Sequence, residues 1–554
     1  MNAVSRGSHE YYASPRKGDA GYARTRHNTP NGMKRVGSVH TALAVAFAAV
    51  LLASSFDTAW TARTPVHLTH VDPSLSAGEV ALVHTTVGHA GALSFKLAEL
   101  GAVEIETADA ADTVIARLSN QALAALRSDP TVTVATRNTT IVATGGGRDR
   151  DLDSDGDPSP EPSAGAAAIN APLAWHTATG AGVTVAVMDS GIAEHPDLAP
   201  GKVAARVNFV YSGSRDSLDP AGHGTHIAGI IAANGSEFRG VAPDARLVSL
   251  RVLDANGYGY LRDVVRAFDW VLRYHVQQNI KVLNLSWGAP HATSYHSDLV
   301  SALAESAWFA GVTVVAAAGN AGASRGSVTT PGGDPFVITV GSLDDQGTVP
   351  ASDDRESSFS SRGLTMDGFA KPDVLAPGRH VVSLRAVSSK LASVKPENVV
   401  SSKHADKDKD KKADRVDVSG LYVTMSGTSA SAGFVSGVAA LVASAHPSYG
   451  PTKIKGAIVA SGRAVTDSAT PAVDANRALT AMTSANAGLV PSKLLVAFLR
   501  YTGMLLGSGI TWEGVTWESV TWEAVTWEKV SWQSVSWERT VSWEGVVWET
   551  VGAQ

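Results

Sequence analysis

Three short motifs, each set where an apolar run stops or starts, constrain this chain more than any other feature. VAVMDSGI (Val185 to Ile192), GHGTHIAGI (Gly222 to Ile230) and SGTSASAG (Ser426 to Gly433) carry an aspartate, a histidine and a serine in that order. Val183 to Met188 is apolar and rich in β-branched residues, the pattern of a buried parallel strand, and Asp189 stands at its carboxyl end. The second motif runs from His223 through small and apolar residues to Ala233, so the imidazole starts a packed helix. From Ser429 to Ala445 there is no charged residue, which predicts a buried central helix whose first N–H groups and dipole face negative charge near Ser429. Open α/β sheets place their sites at the carboxyl edge of the strands, where these three ends would meet.

Serine is a weak nucleophile at neutral pH. It needs an imidazole to take its proton and a carboxylate to hold the imidazole in the right tautomer. Ser429, His223 and Asp189 supply those parts. Taken singly, Asp189 caps a turn, His223 sits satisfied at a helix start, and Asn320 of AAAGN (Ala316 to Asn320) is a turn residue. Four such groups in order, each at its strand or helix end, point instead to one site. His226 is not at metal-pair spacing from His223, and the glutamate of a zincin motif is absent, so it reads as helix packing.

The four motifs resemble those of the subtilisin-like (S8) serine proteases from about Ile169 to Leu479, and the order Asp, His, Ser is that of subtilisin. The resemblance implies an α/β fold with a doubly wound parallel sheet, a small α/β propeptide domain before it, and a serine endopeptidase activity. It further implies that His223 is the base, Asp189 its orienting carboxylate and Ser429 the nucleophile. Asn320 joins the Ser429 N–H in an oxyanion hole. Leu283 to Gly288 resembles a strand edge that pairs with substrate backbone, giving Ser286, Trp287 and Gly288 as binding residues. Gly257, Tyr258 and Gly259 form the opposite edge, so a substrate strand lies between two enzyme segments. The side chains of Trp287 and Tyr258 either narrow the pockets or pack at the sheet edge. The pocket floor is expected from the Ser327 to Phe336 loop. Gly433 stands where the family carries proline, and Ala430 where the subtilisins proper carry methionine. Catalysis needs no cofactor. Structural calcium is a family expectation, with Asp197 matching a ligand although the Ala232 to Arg239 loop is short.

The remaining sequence divides into further modules, as 554 residues suggest. Lys34 and Arg35 precede an almost uncharged stretch from Val36 to Phe56, the layout of an export signal within residues 1–62. Met33 is a candidate start, Ala53-Ser-Ser55 a candidate cleavage site, and an uncleaved anchor the alternative. Residues 65–144 alternate strand-like runs (Val80 to His84, Thr131 to Thr136) with a helix-like one (Gln121 to Arg127) and resemble the family's inhibitory propeptide. Residues 145–166 form an acidic linker. Its Asp151 to Gly156 has half of a calcium loop, but Pro162 stands where the closing glutamate should be, so a solvated linker is favoured. The peptidase domain is expected over residues 167–483 and a second linker over 484–510. Lys403 to Arg415 is a charged insertion. From residue 511 to 551 a Trp-rich pentapeptide repeats, whose period fits neither a flat strand nor one helix stripe. One reading is a stacked or extended docking tail for cell envelope, substrate or a partner, and the other is a weakly ordered repeat with no specific ligand.

A net charge of −6 with no basic face evident argues against a nucleic-acid binder, and the absence of cysteine rules out disulfides and a thiol nucleophile. The expectation is a secreted, self-processing endopeptidase acting on proteins or peptides, with its own propeptide as a partner. The rival is a surface binding protein on an inactive protease fold, with the Trp repeat as its working end.

Overall fold

The computed structural model describes residues 70–144, 164–210, 218–289, 292–394, 398–400, 420–495, 520–522 and 525–527. The export signal, the 145–163 linker, the 403–415 insertion and most of the Trp repeat lie outside them.

The first module has five strands, β1 (His70–Val71), β2 (Val80–Thr85), β3 (Val103–Ala108), β4 (Thr113–Arg117) and β5 (Val132–Arg137), in the order β1-β5-β2-β4-β3. Strand alternation gives its sheet two apolar faces. Ala81, Val83, Val114, Ala116 and Ala135 pack under the helices Ala90–Glu99 and Asn120–Leu126. The intervening Leu82, Ile115 and Val134 instead join the core of the large domain. Ser119 caps the second helix by accepting the Ala122 N–H at 3.0 Å.

The large domain is built on parallel strands β7 (Thr184–Asp189), β8 (Val203–Asn208), β9 (Arg246–Arg251), β11 (Ile280–Leu285), β13 (Thr313–Ala317) and β14 (Ile338–Asp344). They lie in the order β8-β9-β7-β11-β13-β14, followed by Val374–Pro377. Every residue of β7, β13 and β14 is buried, so helices must cover both faces. The His223–Ala232 and Thr428–Ala445 helices pack together, as do Leu261–Gln278 and Leu299–Phe309. Thr428–Ala445 is long and apolar enough to cross a membrane, but it lies in the core. That position explains its charge-free sequence. From β7 the chain builds β8 and β9 on one side and then crosses to β11 on the other. This reversal opens a crevice at the carboxyl ends, where Asp189 emerges.

Residues 483–495 strap the back of this domain. Both carboxylate oxygens of buried Glu305 accept the Ser492 N–H (2.9 and 2.8 Å), the Tyr295 hydroxyl donates to the Val490 carbonyl, and Leu494 and Leu495 are buried. The packed domain thus continues twelve residues into the stretch read from sequence as a linker (484–510). Within the Trp repeat, Val520–Trp522 and Val525–Trp527 pair antiparallel.

The first module reaches the large domain through β6 (Thr140–Ala143), which lies antiparallel between β10 (Tyr258–Tyr260) and β12 (Trp287–Gly288). Beside it, Asn138 Oδ1 accepts the Arg262 N–H at 3.0 Å at the start of the Leu261–Gln278 helix. That helix has no side-chain cap of its own. Further along it, Asp269 Oδ1 accepts the Ala110 N–H at 2.7 Å and Arg266 Nε donates to both carboxylate oxygens of Glu106 (2.8 and 3.1 Å).

Candidate active site

Asp189 ends β7 fully buried, and its Oδ1 accepts the Ser190 N–H at 2.7 Å and lies 2.7 Å from His223 Nδ1. An imidazole held this way carries its proton on Nδ1 and leaves Nε2 as the base. Burial pulls the His223 pKa down, but the charge and hydrogen bond of Asp189, with the charge of Asp219, outweigh it and hold it above the ordinary 6.5. The imidazole is therefore a stronger base than usual. Among the described residues Nε2 has no hydrogen-bond partner.

Ser429 is the second residue of the Thr428–Ala445 helix. Its hydroxyl contacts the carbonyl oxygen of Thr144, lies 2.9 Å from Thr144 Oγ1, and is 3.3 Å from the Ser286 carbonyl. The structure therefore joins Asp189 to His223 but shows no hydrogen bond between His223 and Ser429. Thr144 takes the hydroxyl instead.

Asn320, just past β13, completes the site. Its Nδ2 donates to the Thr144 carbonyl at 2.8 Å, and the Ser429 N–H reaches the same oxygen at 3.4 Å. The amide's orientation is fixed from behind, because Oδ1 accepts both the N–H and the hydroxyl of Thr428 at 3.0 Å. Two donors thus converge on one carbonyl oxygen, the arrangement that stabilises a developing oxyanion.

The six binding residues named from sequence lie along β6. Tyr258 and Gly259 pair with Val142 and Ile141, Gly257 accepts the Ala143 N–H at 2.9 Å, Trp287 and Gly288 pair with Ala143 and Val142, and the Ser286 carbonyl accepts the Thr144 N–H at 3.1 Å. One side-chain alternative is settled. The Trp287 indole is fully buried and donates to the Met188 carbonyl at 3.0 Å, so it packs beneath the sheet and does not narrow a pocket. Tyr258 is 40% exposed at the rim.

Asp219 went unnoticed in the sequence. Fully enclosed, it accepts hydrogen bonds from the Ser190 and Thr225 hydroxyls (2.7 and 2.6 Å) and from the Gly222 and Thr225 N–H groups (2.8 and 2.7 Å). It ties the end of β7 to the first turn of the His223 helix, and so sets Asp189 against His223. Burial pushes its pKa up against those four bonds. An acid four residues before the histidine, in Asp219-Pro-Ala-Gly-His223, was the available signal. Asp219→Asn replaces an oxygen that accepts one hydroxyl and one N–H by an NH2, leaving two buried donors facing a third, and should cost about 2 to 4 kcal/mol. Urea unfolding of the otherwise inactive Ser429→Ala protein measures this. An unchanged midpoint would show that the cap does not hold the site together.

His226 is buried, with Nε2 3.0 Å from the Val381 carbonyl, and burial lowers its pKa to about 3. It is a neutral packing residue. Gly433 makes a close approach possible: a Cβ there would stand 3.3 Å from Ile230 Cγ2, so a small residue lets the Ser429 and His223 helices touch.

The described residues do not fit calcium at Asp197. Calcium takes six to eight oxygens, whereas Asp197 Oδ2 accepts the Tyr422 hydroxyl at 2.8 Å and its carbonyl accepts the Asn234 N–H at 2.9 Å. The short loop closes on itself through an Asn234–Arg239 bridge. No group of three or more acidic or histidine side chains placed to hold a metal occurs among the described residues.

Comparison with known proteins agrees with this geometry. Residues 180–478, more than half of the chain, match the model of the subtilase family (Peptidase_S8). The serine protease AprX of Bacillus subtilis (strain 168) is 38% identical over 289 residues, covering 50% of this chain and 61% of that protein. The M-protease of Shouchella clausii (strain KSM-K16) is 32% identical over 290 residues, covering 52% and 61%. Subtilisin BL of Lederbergia lenta is 32% identical over 290 residues, covering 52% and 86%. The chain thus spans about three fifths of the length of the first two. The match spans most of the large domain and carries Asp189 against His223, with Ser429 and Asn320 on the Thr144 carbonyl, and by it this chain belongs to the subtilase family.

Proposed function

We propose that this chain is a serine endopeptidase made as a zymogen, which cuts itself between Thr144 and Gly145 and is then held inactive by the released module. The observation that carries the reading is the Thr144 carbonyl, held by Asn320 Nδ2 and the Ser429 N–H with the Ser429 hydroxyl against it. His223 Nε2 takes the Ser429 proton as Oγ bonds to the Thr144 carbonyl carbon, and the resulting oxyanion stays between the two donors. Collapse breaks the bond to the Gly145 nitrogen, which leaves as an amine with the proton from His223. Water, deprotonated by the same imidazole, then releases the Thr144 carboxylate from Ser429.

After the cut, β6 keeps its pairing on both sides, so the module stays in the cleft as a product. A polypeptide substrate takes the same path once the module is gone. The basic then apolar leader supports secretion, and the Trp repeat is assigned to docking on envelope or another macromolecule, away from the chemistry. The inactive binding-protein alternative is not favoured, since Asp189, His223, Ser429 and Asn320 are all present, Asp189 against His223 and the other two on the Thr144 carbonyl.

Purified protein expressed without its leader should yield a body fragment beginning at Gly145. Once the module is removed, the body should take a fluorophosphonate on the Ser429 peptide, both read by mass spectrometry. A full-length, unlabelled chain would overturn the reading.

A further inference from the structure

We propose that the Thr144 hydroxyl is a brake on self-processing: it engages the Ser429 hydroxyl, which has to turn to His223 before the chain can cut itself. The inference rests on the zymogen reading above and adds what sets the pace of the cut. Ser429 Oγ lies among three oxygens, the Thr144 carbonyl, Thr144 Oγ1 at 2.9 Å and the Ser286 carbonyl at 3.3 Å. A hydroxyl carries one proton, and each group that meets it here is an oxygen. His223 Nε2, the atom that has to receive that proton, is buried with no hydrogen-bond partner among the described residues. An orphaned buried nitrogen is uncommon, so nucleophile and base stand in one site without being joined.

What holds each group shows which of them has turned aside. The imidazole is fixed from behind, with Nδ1 2.7 Å from Asp189 Oδ1, and its helix is tied down by the Gly224 N–H donating to Ser190 Oγ at 2.9 Å. It cannot swing to Ser429 without giving up the carboxylate. The Ser429 backbone is fixed as well, in the first turn of the Thr428–Ala445 helix with its carbonyl accepting the Ser286 hydroxyl at 3.1 Å. Rotation about the Ser429 side-chain bonds is the freedom that remains. Thr144 has none to offer in return, because its N–H donates to the Ser286 carbonyl at 3.1 Å and its own carbonyl accepts from Asn320 Nδ2 at 2.8 Å. Its side chain therefore leaves the backbone in a fixed direction, and Oγ1 meets Ser429. Whichever hydroxyl donates, the bond opposes the cut: as acceptor, Thr144 holds the proton that His223 must take, and as donor it occupies a lone pair with which Oγ must attack. The carbonyl waits in its hole while the nucleophile is engaged.

The test refolds the full chain, expressed without its leader, from urea, quenches it with acid at intervals, and measures the fraction cut at Thr144–Gly145 by intact mass. The step is intramolecular, so its first-order rate reports the chemistry and no encounter with substrate. Thr144→Val, which keeps the shape and loses the hydroxyl, should process roughly three to ten times faster than the wild type, the scale of one hydrogen bond. Thr144→Ser, which restores the hydroxyl, should return the rate toward that of the wild type. If Thr144→Val gives no folded chain, Thr144→Ala decides in the same way. Processing no faster without the hydroxyl overturns the brake, and so does Thr144→Ser keeping pace with Thr144→Val. In the Ser429→Ala background there is no nucleophile to hold, so adding Thr144→Val should leave the urea midpoint in place; a shift would assign the rate to packing in the cleft and overturn the inference. A wild-type chain that is never cut, together with uncut variants, overturns the zymogen reading itself and the brake with it.

Discussion

Ser429→Ala is expected to give a chain that stays joined at Thr144–Gly145 and loses peptide hydrolysis by on the order of a million-fold, the scale of losing a subtilisin's nucleophile. The substitution removes a hydroxyl already in contact with the Thr144 carbonyl and little else. Asp189 and His223 keep their 2.7 Å contact, and Asn320 keeps Thr428. Fold and module docking should therefore survive, since β6 pairs through backbone groups that the change does not touch. What remains is the two-donor hole, which by itself gives only a residual acceleration over water. Intact mass under protease-free purification decides the outcome. If the variant is trimmed at Thr144 like the wild type, an outside protease makes the cut and self-processing is wrong.

Asn320→Ala should lower kcat by about a hundred- to a thousandfold, or roughly 3 to 4 kcal/mol of transition-state stabilisation, with KM little changed. The reason for the split is geometric. The amide acts on the Thr144 oxygen at 2.8 Å, and that bond strengthens as the oxygen gains charge, whereas the strands β10 and β12 hold the rest of the peptide in ground and transition states alike. The Ser429 N–H remains as a single donor. Thr428, left without the Oδ1 that accepts its N–H and hydroxyl, adds a structural cost that thermal unfolding of the variant reports separately. Kinetics on a short peptide with the mature enzyme are the measurement. A loss under tenfold, or one appearing only in KM, would mean that the oxyanion forms elsewhere.

The residues legible from sequence are those that end a regular element. Apolar, β-branched β7 must stop at the polar Asp189, the charge-free helix must begin near Ser429, and AAAGN must follow a buried strand, because burial and hydrogen bonding fix such ends locally. The strand and helix pattern of the first module was readable for the same reason, within a residue or two for β2, β5 and the Asn120–Leu126 helix. The order of the four motifs then made one site the economical reading.

Whatever depends on pairing between distant segments was decided by the tertiary structure alone. Thr144 meets Ser429 from 285 positions away because β6 inserts between two strands that have no counterpart in its own sequence. Asp219 is an ordinary loop acid until β7 and the His223 helix turn their donors toward it. Trp287, whose size would suggest a pocket wall, is buried instead, since the strand's alternation sends the indole to the Met188 carbonyl. Asp197 passes from expected metal ligand to acceptor for Tyr422 through a contact spanning 225 residues. In each case the sequence determined which chemistry a side chain carries and where its element ends. The direction it faces, and the group it meets there, depend on strand register and loop closure, to which residues throughout the domain contribute at once.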